Sequence, residues 1–110
     1  MTRDVFQAIA DPHRRTILNL LAQQPLPING IAAHFAISRP AVSKHVKILV
    51  ESGLVVIHQK GRERFCEVRP EKLDAVSDWL EQYRQAVEQR FDRLDGLLQE
   101  LQQQENPSDP

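Results

Sequence analysis

Residues 38–53, SRPAVSKHVKILVESG, carry every signal of one amphipathic helix, and the rest of the fold is read outward from them. Ser38 is a favourable N-cap residue, and Pro40 falls in the first turn, where its missing N–H costs no hydrogen bond. Gly53 stands where helices commonly end in a left-handed glycine. One side of the helix is apolar and is formed by Val42, Val46, Leu49 and Val50. The sequence therefore predicts a helix over about 39–52.

Further helices and a hairpin are predicted on either side of this helix. Asp11 and Pro12 form a typical helix start, and two β-branched stretches flank the turn Lys60-Gly61-Arg62. The predicted elements are, in chain order, helices over 2–10, 12–22, 28–35 and 39–52, and strands over 54–59 and 63–68. Two helices joined by a short turn and followed by a hairpin are the order of a winged helix-turn-helix. We therefore expect a mainly α fold with a small β-hairpin.

A long C-terminal helix is predicted over 70–104, with apolar residues in a seven-residue repeat. One set of the repeat is formed by Leu73, Leu80, Val87, Leu94 and Leu101. The second set is formed by Val76, Tyr83 and Leu97, with Arg90 as its one polar member. Such a helix is about 50 Å long, whereas a domain of this size has a radius of gyration near ~13 Å. A second copy of the chain is the simplest cover for the stripe, and a helix that kinks near Gly96 and folds back as core is the alternative.

Length and composition predict one globular domain. The chain has 110 residues, of which 41% are hydrophobic and 26% charged. We expect a single domain over 1–104, made of a winged-helix core at 1–69 and a dimerisation helix at 70–104, and a disordered polar tail at 105–110. The sequence shows neither an apolar run near the ~20 residues of a membrane span nor a signal peptide. We therefore expect a cytoplasmic protein without a membrane partner.

Charge is distributed unevenly along the chain, although the net charge is only −1. Residues 38–64 hold six basic and two acidic residues, whereas 70–110 hold four basic and ten acidic residues. Exposed lysines on one helix are usually just a solvated face, but the wing at 59–64 adds a second basic element directly behind the helix. This pattern predicts double-stranded DNA as the partner. The helix then enters the major groove, and the wing reaches the adjacent backbone or minor groove.

The polar face of the fourth predicted helix has the residue types that DNA contacts require. Arg39 can form a bidentate contact to guanine, and Ser43 can contact a base or a phosphate. Lys44 and Lys47 are suited to phosphates, which fix position without reading sequence. His45 leaves two alternatives open, a phosphate contact or a half-buried histidine satisfied within the protein. The predicted DNA-binding residues of helix and wing are Ser38, Arg39, Pro40, Ser43, Lys44, His45, Lys47, Lys60, Arg62 and Arg64.

Three stretches of the chain resemble the ArsR (arsenical-resistance-type) repressors. Residues 10–18, ADPHRRTIL, are similar to the family's second-helix signature. Residues 38–49, SRPAVSKHVKIL, resemble its recognition helix, and 51–55, ESGLV, resemble its exit into the wing. The similarity covers about 5–68. The resemblance implies a winged-helix repressor whose DNA-facing residues are Ser38, Arg39, Pro40, Ser43, Lys44 and His45, with Arg62 on the wing.

The resemblance also implies a homodimer in which the first and last helices form the interface. Together with the apolar repeat, it predicts an interface that includes Val5, Phe6, Leu80, Tyr83, Val87, Phe91, Leu94 and Leu98. Two-fold symmetry of the protein then predicts a pseudo-palindromic operator with half-sites about one helical turn apart.

Metal ligands known from related repressors are missing at the matching positions. The arsenic and cadmium type places a Cys-x-Cys pair on the third helix, but 28–32 contain no cysteine. The zinc type uses Asp and His on the last helix, where this chain has no histidine. The four histidines, His13, His34, His45 and His58, are scattered along the sequence. Zinc needs four ligands, so we expect the metal-independent branch, with no metal and no cofactor; a site pooled between subunits is the alternative.

The remaining chemistry of the sequence is sparse. Cys66 lies on the return strand and is expected to be half-buried there; a redox switch would need an exposed, electropositive thiol. The sequence contains no glycine-rich phosphate loop, no nucleophile elbow and no paired-carboxylate motif, so we expect no enzyme. The alternatives to a simple repressor are a metal- or redox-responsive repressor and a winged helix that binds proteins instead of DNA.

Overall fold

The computed structural model describes residues 4–105. The chain divides into two compact units, one up to Val76 and one from Ser77 onward. The fold is mainly helical with a small antiparallel sheet, a winged helix-turn-helix as predicted. Its elements are, in chain order, α1 (Val5–Ala8), α2 (Pro12–Leu21), β1 (Leu26–Pro27), α3 (Ile28–Ala32), α4 (Arg39–Glu51), β2 (Val55–Lys60), β3 (Glu63–Val68), a 3₁₀ turn (Pro70–Leu73) and α5 (Asp74–Glu105).

The predicted caps set the starts of α2 and α4. The Asp11 carboxylate accepts the backbone N–H groups of His13 at 2.8 Å and Arg14 at 3.2 Å, and Pro12 occupies the first turn. Ser38 Oγ accepts the N–H of Ala41 at 3.3 Å, again with a proline in the first turn. These side chains satisfy N–H groups that a helix start leaves without a partner, so both boundaries are fixed locally.

Helix α1 is shorter than the predicted span of 2–10. It covers only Val5–Ala8, and residues 2–3 of the prediction lie outside the described range. Asp4 fixes its start, because the carboxylate accepts the N–H of Phe6 at 3.0 Å. This cap was not predicted from the sequence.

Two arginines of α2 hold the end of α1. Arg14 Nε donates to the carbonyl of Ala8 at 2.6 Å, and Arg15 Nη1 donates to the carbonyl of Ile9 at 2.8 Å. Such a short helix leaves its last carbonyl groups without helical partners, and charged donors satisfy them. Arg14 and Arg15 of the ADPHRRTIL stretch therefore attach α1 to α2 and have a structural role.

Two more helical segments end or begin differently from the prediction. Helix α3 stops at Ala32 instead of Phe35, because the following backbone closes tighter bonds, from His34 N–H to the Ile31 carbonyl and from Phe35 N–H to the Ala32 carbonyl. The last helix was predicted from Pro70, but a 3₁₀ turn precedes it and α5 begins at Asp74. Tight i→i+3 turns of this kind are frequent at helix ends.

The sheet has three strands, in the order β1-β3-β2, all antiparallel. Both strands of the hairpin begin and end within one residue of their predicted bounds. Gly61 (φ +65°) and Arg62 form the two-residue turn at its tip. Strand β1 was not predicted. It pairs Leu26 with Cys66 and Pro27 with Phe65, and its position at the sheet edge tolerates a proline that cannot donate a hydrogen bond.

The core of the first unit is built from all four of its described α-helices, α1 to α4, and the strands. Val42, Val46 and Leu49 are buried as predicted, but Val50 is 36% exposed because it sits one position off the buried stripe of α4. Cys66 was expected to be half-buried and is only 1% exposed, so it is a core residue. The other buried apolar residues are Ala8, Ile17, Leu18, Leu21, Ile31, Leu54 and Val55.

Helix α5 presents its apolar residues to solvent in this chain. Tyr83 is 60% exposed and Phe91 62% exposed, and Trp79 stacks on Tyr83 with ring centroids 5.6 Å apart. The other exposed large apolar residues of the helix are Leu80, Leu94, Leu97, Leu98 and Leu101. Among residues 4–105, no helix combines the length and the apolar character that crossing a membrane requires. Residues 106–110 of the predicted tail lie outside the described range, and Glu105 ends α5.

Candidate DNA-binding surface

The outer face of α4 is polar and basic, whereas its inner face is core. Ser38, Arg39, Pro40, Lys44 and Lys47 are exposed. Ser43 is half-buried but lies on the same side of the helix. The buried residues at helical spacing fix the rotation of α4, so the rotation also directs these polar residues to solvent.

The wing adds a second basic element. Lys60, Arg62 and Arg64 are all exposed along the hairpin. Lys60 is directly opposite Glu63 across the strands, so one basic residue of the wing has an acidic neighbour. Arg62 occupies the turn itself, next to Gly61. The wing tip therefore offers a guanidinium group on a short, tightly closed loop.

Arg39 of α4 is held by α3. Its Nε donates to Oδ1 of Asn29 at 2.5 Å, which connects the two helices of the helix-turn-helix through their side chains. Sequence reasoning missed Asn29, because no periodicity or motif relates a residue of α3 to one ten positions later.

Arg39 and the wing meet in one cleft. A cleft of about 320 Å³ is lined by Pro27, Ile28, Asn29, Arg39, Glu63 and Arg64. The first residue of α4, Arg39, and the third basic residue of the wing, Arg64, therefore face the same space, with Asn29 in its wall. This arrangement places the guanidinium groups of two separate elements on one surface, as contact with a phosphate-lined groove requires.

His45 differs from the other predicted DNA-contacting residues. Its side chain is only 19% exposed, and its Nδ1 lies 3.4 Å from Nη1 of Arg14 and 4.0 Å from Oδ1 of Asp11. Its ring centroid is 5.4 Å from that of His13. Because a guanidinium can only donate, Nδ1 accepts, and the ring proton of neutral His45 then resides on Nε2. The geometry matches the half-buried alternative, in which His45 connects α4 to the start of α2.

The electrostatics of this contact keep Asp11 charged and His45 neutral. Burial lowers the pKa of His45, the Asp11 carboxylate opposes this, and the Arg14 charge adds to it. Burial raises the pKa of Asp11, but the backbone N–H groups of Arg14 and His13 outweigh it, so the pKa lies below its usual value. The carboxylate therefore remains an acceptor for the cap of α2.

Asp11, His13 and His45 also form a candidate metal-binding group. The histidines are scattered along the sequence, but in the fold donor atoms of Asp11, His13 and His45 lie within 4.8 Å of one another. Two imidazoles and a carboxylate are ligands that zinc accepts. However, Arg14 already donates towards Nδ1 of His45, and its fixed positive charge opposes a cation at the same place. The residues present fit a hydrogen-bonded contact between helices better than a metal centre.

The remaining histidines and the cysteine have other partners. His58 Nε2 lies 2.9 Å from a carboxylate oxygen of Glu67 on β3, and His34 Nδ1, just after α3, lies 3.0 Å from the carbonyl of Gly30. Burial raises the pKa of the Cys66 thiol, and the Arg64 charge lowers it less. A buried, protonated thiol is a poor nucleophile, so Cys66 lacks the setting of a redox-reactive cysteine.

The fold and this surface define the class of protein. Helices α3 and α4 form the helix-turn-helix, β2 and β3 form the wing, and both carry exposed basic residues. These features are those of a winged helix-turn-helix DNA-binding protein. Residues 11–56, which contain the helix-turn-helix and the first two residues of β2, match the family described as "Bacterial regulatory protein, arsR family".

Individual relatives agree with this match. The transcriptional repressor SdpR of Bacillus subtilis is 36% identical over 77 residues, which is 70% of this chain and 86% of SdpR. The arsenical resistance operon repressor of Staphylococcus xylosus is 31% identical over 77 residues, covering 70% of this chain and 74% of the repressor. A crystal structure of an ArsR family transcriptional regulator has a TM-score of 0.68 and 36% identity, over 76% of this chain and 91% of that one.

The chain belongs to the arsR family of bacterial regulatory proteins. The resemblance found in the sequence is thereby confirmed, as is the expectation of a DNA-binding transcription regulator that is not an enzyme.

Proposed function

We propose that this chain is a homodimeric transcriptional repressor that binds a pseudo-palindromic operator and responds to no metal. In this proposal α4 is the recognition helix in the major groove, and the wing at 59–64 lies on the adjacent backbone or minor groove. The observation that carries it is the cleft in which Arg39 of α4 and Arg64 of the wing meet, because it joins two basic elements into one surface. The proposed role places the protein in the cytoplasm, where bacterial DNA lies.

Five exposed basic residues of this surface receive roles from their chemistry. Arg39 lies at the N-terminal end of α4, the end that contacts base edges in helix-turn-helix proteins, and its guanidinium can pair with guanine. Lys44 and Lys47 lie further along the same helix and are suited to phosphates, as are Lys60 and Arg62 on the wing. His45 is omitted from these roles because its ring is engaged with Arg14 and Asp11.

The homodimer is proposed from α5. Exposed large apolar side chains recur at the seven-residue spacing that a partner helix covers, and a second copy offers the same stripe. The predicted interface residues on this helix are exposed, except for the half-buried Val87. At the other predicted contact, Phe6 is 39% exposed, whereas Val5 packs partly against the core of its own chain.

Regulation without metal is proposed from the residues at the family's usual ligand positions. Helix α3 has no cysteine and α5 has no histidine. The buried Cys66 thiol is not available to an oxidant or a soft metal without opening the core. Repressor activity is proposed because SdpR and the Staphylococcus repressor, both more than 30% identical to this chain, carry that description.

A metal-responsive repressor is the second candidate. It is favoured by the proximity of Asp11, His13 and His45, which are two imidazoles and a carboxylate at the contact between α2 and α4. A metal held there would displace Arg14 from His45 and change the position of α4. The operator affinity would then depend on the metal.

Fluorescence anisotropy of the full-length chain tests the proposal. The chain is titrated against its own upstream DNA and against a scrambled duplex of equal length, at two salt concentrations, with and without a chelator. We expect selective binding that weakens steeply with salt, because several phosphate contacts release counterions, and that ignores the chelator.

Three outcomes separate the candidates. Selective binding that changes at least about tenfold when metal is removed, about 1.4 kcal/mol, favours the metal-responsive repressor. His13→Ala should then abolish the metal effect, whereas His34→Ala, which changes a histidine outside the group, should retain it. Equal or absent binding to both duplexes would contradict the repressor and favour a winged helix that binds protein.

A further inference from the structure

The structure assigns Asn29 a role in operator recognition: we infer that its side-chain amide positions Arg39 for contact with a base. This inference rests on the proposed DNA contact of Arg39. Asn29 is exposed on α3, Arg39 is exposed on α4, and the bond from Arg39 Nε to Asn29 Oδ1 is 2.5 Å long.

The hydrogen bond to Asn29 leaves free the guanidinium donors that a contact with guanine needs. A guanidinium carries donors on Nε and on the two terminal nitrogens, and a bidentate contact to guanine O6 and N7 needs two of them. Asn29 takes only Nε. The terminal nitrogens Nη1 and Nη2 remain for an end-on bidentate contact, so the bond to Asn29 is compatible with base recognition.

Holding Arg39 in advance also reduces the cost of binding. A free arginine side chain has many rotamers and loses them when it is ordered at an interface. Within the described residues, the Arg39 side chain forms one hydrogen bond, so Asn29 is the group that restrains it before DNA arrives. The restraint comes from α3, whose position is fixed independently by the buried Ile31.

The neutral amide suits this role better than a carboxylate. Glu63 lines the same cleft as Asn29 and Arg39, and an ion pair with it would commit the guanidinium charge that DNA requires. Asn29 offers a competing acceptor that fixes the geometry of Arg39 and leaves its charge uncompensated. Asn29 is therefore a positioning residue, which acts on DNA through Arg39.

A double-mutant cycle tests this role in the full-length chain. Asn29→Ala, Arg39→Ala and the double variant are titrated by anisotropy against the upstream duplex and the scrambled duplex. We expect Asn29→Ala to reduce the ratio of the two affinities about three- to tenfold, the size of the cost of ordering one long side chain. In the Arg39→Ala background, the same change should have no further effect on the ratio.

A matched control separates positioning from folding. Asn19→Ala changes an exposed asparagine on α2 and should leave both affinities as in the wild type. Thermal unfolding of Asn29→Ala should match the wild type or exceed it slightly, because alanine favours a helix and the lost bond is exposed.

The outcomes distinguish this inference from the function on which it rests. An unchanged ratio in Asn29→Ala with a reduced ratio in Arg39→Ala would overturn the positioning role alone. An equal loss from Asn29→Ala in both backgrounds would overturn it as well, since Asn29 would then contact DNA directly. A wild-type chain that prefers neither duplex would instead overturn the proposed function, and the inference with it.

Discussion

Helices α4 and α5 both carry an apolar stripe, but only the stripe of α4 is buried. Val42 and Leu49 are 0% exposed, whereas Leu80 and Leu94 of α5 are 54% and 51% exposed. The residues that cover α4 come from the same chain, on α2, α3 and the sheet. One apolar stripe therefore closes a core within the chain, while the other requires a surface from outside it, which we propose to be a second copy.

The largest expected effect is the loss of a core residue of α4. Leu49→Ala should lower the free energy of unfolding by about 2–5 kcal/mol, because it removes buried methyl groups and leaves a cavity. Val50→Ala, at the neighbouring exposed position, should cost at most about 1 kcal/mol. Urea unfolding at one fixed protein concentration measures both. Equal losses of stability at the two positions would contradict the assignment of Leu49 to the buried face and Val50 to the exposed face of α4.

The next effect concerns α5. Leu94→Glu should weaken the dimer at least about 100-fold, about 2.7 kcal/mol, because a charge would enter the proposed apolar interface. The helix itself should persist, since glutamate is a good helix former. Gln99→Glu adds the same charge at an exposed polar position and should leave the dimer intact. Sedimentation equilibrium measures both, and equal dissociation constants would show that α5 is not the interface.

Phosphate contacts are expected to give a smaller effect. Lys44→Ala and Lys47→Ala should each weaken binding to operator and scrambled DNA alike, with the slope of log affinity against log salt reduced by about 0.9. Lys72→Gln removes a charge from the 3₁₀ turn and should keep the wild-type slope. Anisotropy titrations over a salt series test this. A loss confined to the operator would assign these lysines to base recognition instead.

Acid should weaken the contact between α2 and α4. The pKa of His45 lies below its ordinary value, so the folded state disfavours the charged ring. The contribution of the neutral His45 ring to the free energy of unfolding is therefore fully present above the pKa of about 6.5 that histidine has in the unfolded chain. It is lost as the pH falls from there through the lowered pKa of the folded state. His45→Gln should flatten this decline, and His34→Gln should not. Urea midpoints at pH 7.5 and 5.5 measure the decline in stability. A decline in His45→Gln as large as in the wild type would show that His45 is not its cause.

The smallest expected effect is that of oxidation. Mild oxidant should leave the operator affinity of the wild type unchanged, because the Cys66 thiol is buried in the core and protonated. Cys66→Ser should respond to oxidant in the same way as the wild type. Anisotropy before and after oxidation tests this, and an oxidant response that disappears in the variant would establish a redox switch.

The features that could be predicted from the sequence are those fixed locally. The caps at Asp11 and Ser38, the spacing of Val42, Val46 and Leu49, and the glycine in the hairpin turn depend on residues within a few positions of one another. Such signals determine the order of the elements, and that order is sufficient for the winged helix-turn-helix.

The features that could not be predicted depend on contacts between distant residues. Strand β1 exists only because β3 offers an edge to Leu26 and Pro27; from the sequence alone, Pro25 and Pro27 indicate a loop here. Two contacts join separate helices: the hydrogen bond from Arg39 to Asn29 and the approach of His45 to Asp11. No spacing of residues along the chain predicts either contact. The burial of Cys66 likewise depends on distant residues, since β3 is the central strand and Cys66 is paired with Leu26 of β1 and Ile57 of β2.

A footprint of the full-length chain on its upstream DNA tests the central claim most directly, because it needs both the α4 surface and the α5 interface. Hydroxyl-radical cleavage should show two symmetric protected patches, centred about 10–10.5 base pairs apart or a multiple of this, related by a two-fold axis. A single patch would contradict the dimer that α5 is proposed to form. Uniform cleavage of every duplex would contradict sequence-specific binding by α4 and the wing.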